Sequence, residues 1–384
     1  MIWRCCTSSG GAAQVEVLVI GGTGPTGVPL VLDLVRQGHE VTLLNRGLHP
    51  KPELAHVPTI VGDPYDEASL TEALGTETWD VVVAMYGRLR MVARLTEGRC
   101  GHFVSVGGVP AYRGWTDAWQ HDPPGLPVPV AEGADLVEDP AIDDKGYRIV
   151  RTEAAVFASH PGAAHLRYPY LYGPHQPVPR EWSVVRRILD GRRRIVVADE
   201  GLTLHHHAYT HNAAAALGRA VLEPERSAGT IFNVGDAEVL TVRQVVELCA
   251  AALDAELEVV SMPYELAVPA WPLLAQPLPT HRVLDLTRLH EQLGHVDVVP
   301  ARRAVPLTAR WLAEHPPEPG GLEEQVLTDP FDYEAEDQLL DSWLAARSSV
   351  VVPTFTTRPA WGLAYSGPAG RPRTHEEFVH DRSS

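Results

Sequence analysis

At 384 residues, with 45% hydrophobic and 21% charged side chains, the chain has an ordinary globular composition and enough length for one two-lobed body or two medium domains. A formal charge of −17 opposes a duplex-binding surface, and no apolar run reaches the roughly 18 residues of a membrane span. Cys5, Cys6, Cys100 and Cys249 form no C-x-x-C pair, and the start lacks an apolar signal core, so a cytoplasmic protein is expected.

Residues 1–14 are small, polar and aperiodic, and read as a flexible arm. The apolar run 15–20 is a strand, followed at once by a glycine loop and a helix over 25–37 with Val28, Leu32 and Val35 on one face. Gly38 stops that helix, and 40–45 is a second strand. This βαβ order predicts a parallel sheet with right-handed crossovers. Further strands are expected at 59–61, 79–85 and 102–106, with helices at 67–74 and 91–95 between them. The stretch 115–144, rich in Pro, Gly and Asp, reads as a long surface loop. PPEPGG at 316–321 reads as a linker, and no Lys or Arg occurs from 311 to 346. There Leu339, Leu340, Trp343 and Leu344 are suited to a short docking helix.

Gly21, Gly24 and Gly27 stand between the first strand and the first helix as G-x-x-G-x-x-G. Glycines there let the backbone approach a pyrophosphate, and the helix N-terminus adds N–H donors and a positive dipole end. A plain tight turn is the bland alternative, and the βαβ context argues against it. NAD sites usually carry an acidic residue at the end of the second strand, whereas Asn45-Arg46-Gly47 has none. Arg46 is a planar charged donor suited to a 2′-phosphate, so NADP is the expected cofactor, with NAD as the alternative.

On these motifs, about residues 15 to 315 resemble the extended and atypical short-chain dehydrogenase/reductases, the NAD-dependent epimerase/dehydratase superfamily. GGTGPTG resembles its nucleotide fingerprint, and Gly62-Asp63-Pro64-Tyr65-Asp66 its G-D-x-x-D turn. Arg167-Tyr168-Pro169-Tyr170-Leu171-Tyr172-Gly173-Pro174 is similar to the family's R-P-x-x-x-Y-G-P stretch beside the nicotinamide. Residues 207–214 resemble F-V-H-V-D-D-x-A, with Asn212 at a usual aspartate, and Phe232-Asn233-Val234-Gly235 resembles the turn opening the last lobe.

The resemblance implies an α/β fold: a Rossmann-type doubly wound parallel sheet, a smaller C-terminal substrate-binding lobe and, in this chain, an acidic C-terminal extension. The Rossmann domain would span 15–174, with elements from 200–235 returning to it. The substrate lobe would span 175–315 and the extension 316–384. The cofactor-binding set it implies is Gly21, Thr23, Gly24, Pro25, Thr26, Gly27, Asn45, Arg46, Asp63, Pro64, Met85, Tyr86, Ser105, Pro169, Tyr170 and Leu171. The expected activity is that of an oxidoreductase or epimerase on a small polar metabolite, a sugar or a secondary-metabolite intermediate. Nucleic acid, membrane and metal are not expected as partners; a homodimer is left open. The alternatives are a non-catalytic NADP-binding sensor or scaffold, and a redox-neutral enzyme with other catalytic residues.

The family's acid/base set is a Ser/Thr with a Tyr and Lys spaced i, i+4 on one helix face, and here the pattern breaks. In KGYRIVRTE, one register gives Tyr147 with Arg151, which keeps the spacing and replaces Lys by Arg. The other, matching Gly146 and Glu153, puts Lys145 at the tyrosine position and Ile149 at the lysine position. Both registers stand at this point. Ser105 lies at a strand end, but the usual hydroxyl position falls at Gly107, so Ser105 is expected to line the nicotinamide side. His205 and His207 are candidates for a substitute acid/base, beside a packing role. Arg186, Arg187, Arg192, Arg193 and Arg194 read either as a solvated face or as an anion clamp.

Overall fold

The computed structural model describes residues 14–85, 88–274 and 280–356. Contacts divide the chain into two units, Met1–Tyr333 and Glu334–Ser384. The first unit is built on strands β1 (Glu16–Ile20), β2 (Glu40–Asn45), β3 (Thr59–Val61), β4 (Trp79–Ala84), β5 (Cys100–Gly108), β6 (Ala164–Tyr168), β7 (Tyr170–Tyr172), β8 (Arg194–Ala198), β9 (His207–Tyr209), β10 (Thr230–Asn233) and β11 (Glu258–Met262). Seven of them form one sheet in the order β10-β6-β5-β4-β1-β2-β3, every pair parallel. This is the doubly wound Rossmann arrangement extended by β10. The expected strands match these spans to within a residue or two.

The near-continuous apolar runs follow from burial on both faces. In β1, Val17 and Val19 enter one core with Val28, Val31 and Leu34 of helix α1 (Gly27–Arg36). Leu18 and Ile20 enter the opposite core with Leu70 of helix α2 (Glu67–Leu74) and Val92 of helix α3 (Leu89–Leu95). β6 breaks the apolar rule. His165 and Arg167 are fully buried in mid-sheet, each needing polar company there.

The stretch 115–144 is largely irregular, but Trp115, Val130 and Val137 are buried, so it is pinned to the body rather than lying loose. Single apolar residues at irregular spacing give no periodic signal, although each anchors the chain. Two parallel pairs, β7 with β9 and β8 with β11, sit outside the main sheet. The second unit consists of most of helix Tyr333–Ser349 and the chain after it. No helix among the described residues is long and apolar enough to cross a membrane.

Candidate active site

Two recesses sharing Tyr65 form a groove along the carboxyl ends of the strands. The first, about 430 Å³, is lined by Gly21, Thr23, Gly24, Pro25, Asn45, Arg46, Lys51, Pro64 and Tyr65 among others. Gly21 has φ of 89°, which favours glycine, and a Cβ at Gly27 would lie 2.6 Å from the Gly22 backbone. The fingerprint is therefore a close-packed cradle. Helix α1 starts above it with no side-chain cap and no acid in its first turn, leaving its positive end to an anion. Asn45 Oδ1 accepts a 2.8 Å bond from Gly47 N, which turns the chain after β2, and the Arg46 guanidinium lies 5.6 Å from the Tyr65 ring centre. Asp63 is used locally, its Oδ1 accepting from Tyr65 N at 2.9 Å, and does not line the groove. These features fit a dinucleotide with its adenosine end at β2.

The second recess, about 560 Å³, includes Thr26, Met85, Val106, Gly107, Gly108, Lys145, Ile149, His165, Tyr168 and Leu171 in its lining. Helix α4 (Asp144–Ser159) turns Lys145, Arg148, Ile149 and Thr152 toward it, the i, i+3, i+4, i+7 face. Tyr147 and Arg151 lie off that face and are absent from the lining. Of the pairs in the two registers, the lining holds Lys145 and Ile149. Of the other expected residues, Tyr86 lies outside the described residues. Pro169 does not line the groove, and Tyr170 turns to the opposite face of β7 from Leu171, packing edge-on to His205 and His207.

Packed against Gly107 is a buried polar chain that sequence reasoning missed. β5 and β6 pair Ser105 with His165 and Gly107 with Arg167. Ser105 is fully buried beneath the groove lining, with its Oγ 2.8 Å from His165 Nδ1. His165 Nε2 lies 3.4 Å from Glu153 Oε1, and Glu153 accepts from Arg167 Nε at 2.9 Å and Nη2 at 2.6 Å. Burial acts to raise the Glu153 carboxyl, but His165 and Arg167 outweigh it and hold the group below its ordinary value. A Cβ at Gly107 would sit on the His165 ring, 2.8 Å from Cε1 and closer still to Nε2. Glycine at 107 is the room that the imidazole needs. The available signal was a histidine and an arginine two residues apart in the short strand Ala164–Tyr168.

A smaller recess lies between Tyr172, Arg180, Glu181, His205, His207, Asp236 and apolar residues such as Leu240, Val242 and Leu273. Arg180 Nε, His205 Nε2 and His207 Nε2 are buried there without a hydrogen-bond partner among the described residues. Burial, with the nearby positive groups, lowers both histidines: His205 far below its ordinary value and His207 to about 3. Both are therefore neutral imidazoles near pH 7. Asn212 explains its departure from aspartate: its amide donates to Asp236 Oδ1 and Val299 O, and its carbonyl accepts from Val298 N and Val299 N. A carboxylate could not donate to Asp236.

The arginine cluster is partly consumed. Arg187 is buried against Asp329 at 2.7 Å, and Arg186 pairs with Glu324 and Asp190, so these two are not a free anion clamp. Among the described residues, no group of His, Cys, Asp and Glu could hold a metal ion.

No family model matches the chain. A curated relative from Streptomyces, a 3-diazoavenalumate denitrifying reductase, is 29% identical over 243 residues, covering 58% of this chain and 77% of its own. The chloroplast stem-loop binding protein of 41 kDa b from Arabidopsis thaliana is 25% identical over 264 residues, covering 63% of this chain and 64% of its own. Among solved structures, WbmG of Bordetella bronchiseptica in complex with NAD is similar at a TM-score of 0.62 and 18% identity, over 79% of this chain and 95% of that one. UDP-glucose 4-epimerase of Thermotoga maritima with UDP-glucose is similar at 0.63 and 18%, over 78% and 99%. The chain has the fold of the NAD-dependent epimerases and dehydratases, the extended short-chain dehydrogenase/reductase fold.

Proposed function

We propose that the protein is an NAD(P)-dependent oxidoreductase or epimerase acting on a small polar metabolite. The observation that carries this reading is the continuous groove, with a glycine cradle under a helix N-terminus at one end and a buried acid/base chain beneath the other. The nicotinamide cofactor would supply hydride chemistry when bound. The cradle Gly21–Gly27 would hold its pyrophosphate, Arg46 and Lys51 its 2′-phosphate, and Val106, Gly108, Ile149 and Leu171 the apolar faces of its ring. Arg180, His205 and His207 would meet polar groups of the substrate from the lobe. The Streptomyces relative, named as a reductase, supports the assignment to an enzyme.

Calorimetric titration with NADP⁺ and NAD⁺ tests the reading directly, and tighter binding of NADP⁺ is expected. Arg46→Asp should weaken NADP⁺ by about 10- to 100-fold, the range of a lost charged hydrogen bond, and invert the preference. Equal affinities in the wild-type chain would remove the role given to Arg46. No binding of either dinucleotide would remove the function.

The lysine and isoleucine at the family's tyrosine and lysine positions favour a second reading. Hydride delivered to a carbon that sheds dinitrogen needs no proton donated to oxygen, and the Streptomyces relative is named for denitrification of a diazo compound. Oxidation of NADPH matched mole for mole by dinitrogen release from an ortho-diazoquinone would favour it. NADPH oxidation by carbonyl compounds without gas would favour the first.

A further inference from the structure

We infer that His165 is the proton-handling residue of the groove, its Nε2 standing over Gly107 where related enzymes carry a hydroxyl. The inference rests on the first reading above, in which a carbonyl or carbinol lies over Gly107. Three observations on different parts of the ring converge on it.

The first is position. The ring lines the groove, and it fills the volume that any side chain at residue 107 would take. The second is orientation. Ser105 holds Nδ1 from below at 2.8 Å, which aims the opposite nitrogen upward. The Glu153 carboxylate at 3.4 Å favours a proton on that nitrogen, since a bare lone pair there would face a negative charge. The third is an unfilled hydrogen bond. Nε2 is buried, and its nearest acceptor, Glu153 Oε1 at 3.4 Å, lies outside good hydrogen-bond geometry. A buried N–H left in that state is unfavourable, so such a group beside a groove calls for a bound acceptor.

Among the described residues lining this recess, His165 is the one imidazole. Lys145 is exposed, and the positions beside it on this helix face are Arg148 and Ile149. In the reducing direction the carbonyl carbon gains a hydride with its electron pair, and the C–O π bond breaks toward oxygen. The oxygen then takes the Nε2 proton of the imidazolium. His165 would be left neutral and regain a proton from water, the two electrons of the hydride being those that a bound reduced nicotinamide would supply. Glu153 faces the ring, and Arg167 fixes Glu153 through both carboxylate oxygens.

The test uses full-length protein labelled with ¹⁵N-histidine, with His165 assigned by its loss in His165→Asn. Nitrogen shifts report which ring nitrogen carries the proton without need of a substrate. A protonated Nε2, perturbed when NADP⁺ is added, is expected. A bare Nε2 in both the free and the NADP⁺-bound protein would overturn the inference. In parallel, NADPH oxidation is followed with 9,10-phenanthrenequinone as the carbonyl probe. His165→Asn should lose about 10²–10⁴-fold in kcat with its Kd for NADPH little changed. Wild-type kcat in that variant would also overturn it. If wild-type protein leaves the quinone untouched, the nitrogen shifts decide alone, and His165→Gln makes the assignment should the asparagine variant not fold. Failure to bind NADPH at all is a separate result, and counts against the function rather than against His165.

Discussion

Arg167→Met is expected to destabilise the folded chain by about 3–5 kcal/mol at pH 7, the cost of breaking a buried ion pair from one side. Methionine retains the apolar stem but leaves the Glu153 carboxylate buried with only His165 beside it. The guanidinium also stacks 4.7 Å from the Tyr112 ring centre and donates to Glu132 O at 3.2 Å, so little of its bonding is spare. The effect carries a pH signature. Glu153 is held below its ordinary value in the folded chain, so its contribution is fully present above the unfolded carboxylate range, near pH 4.3, and is lost as pH falls through the folded value. In the variant, Glu153 loses the partner that lowers it, and protonating it relieves the unpaired charge. The stability gap between the two proteins should therefore narrow as pH drops from 7 to 4. Urea denaturation at both pH values measures it. A gap below about 1 kcal/mol at pH 7 would mean that the pair is not buried as described.

Gly107→Ser restores the residue type of the family and should nonetheless cost at least about 1–3 kcal/mol, the range for overpacking a tight site. The new Cβ meets the His165 ring, which is itself held by Ser105 and cannot swing freely. Removing the obstacle should remove the cost. In a His165→Ala background the same serine is expected to be close to neutral, apart from the cavity that alanine creates. Thermal unfolding of the four proteins in this cycle gives the coupling between the positions. Additive effects would show that the two side chains do not compete for one volume.

Much of the fold was legible because its signals are local. β1, β2 and β3 are short runs with β-branched residues closed by Gly or Asn, and the intervening helices have their own apolar stripes. The cradle was legible for the same reason: its three glycines are close in sequence. The catalytic end depends on pairings across strands and on helix rotation. That Ser105 faces His165, sixty residues on, follows from the register of β5 with β6, which neither strand reveals alone. The two registers of residues 145–151 differ by half a turn of helix α4. The docking of α4 on the sheet decides which face meets the groove, and local spacing does not. The arginine cluster was opaque for a similar reason, since the partners of Arg186 and Arg187 lie about 140 residues downstream.

The scarcity of lysine gives the groove an unusual chemical address. The chain has two lysines, Lys51 and Lys145, and they line the two recesses of one groove. Apart from the terminal amine, every primary amine available for acylation or reductive methylation therefore belongs to the proposed cofactor path. Methylation with ¹³C-formaldehyde would place one isotopic reporter beside the Arg46 end and another beside Gly107, without altering the sequence. The first reporter would sense occupancy by the adenosine half of a ligand and the second by the reacting half, so a single spectrum could distinguish a fragment that fills one end from a molecule that spans both.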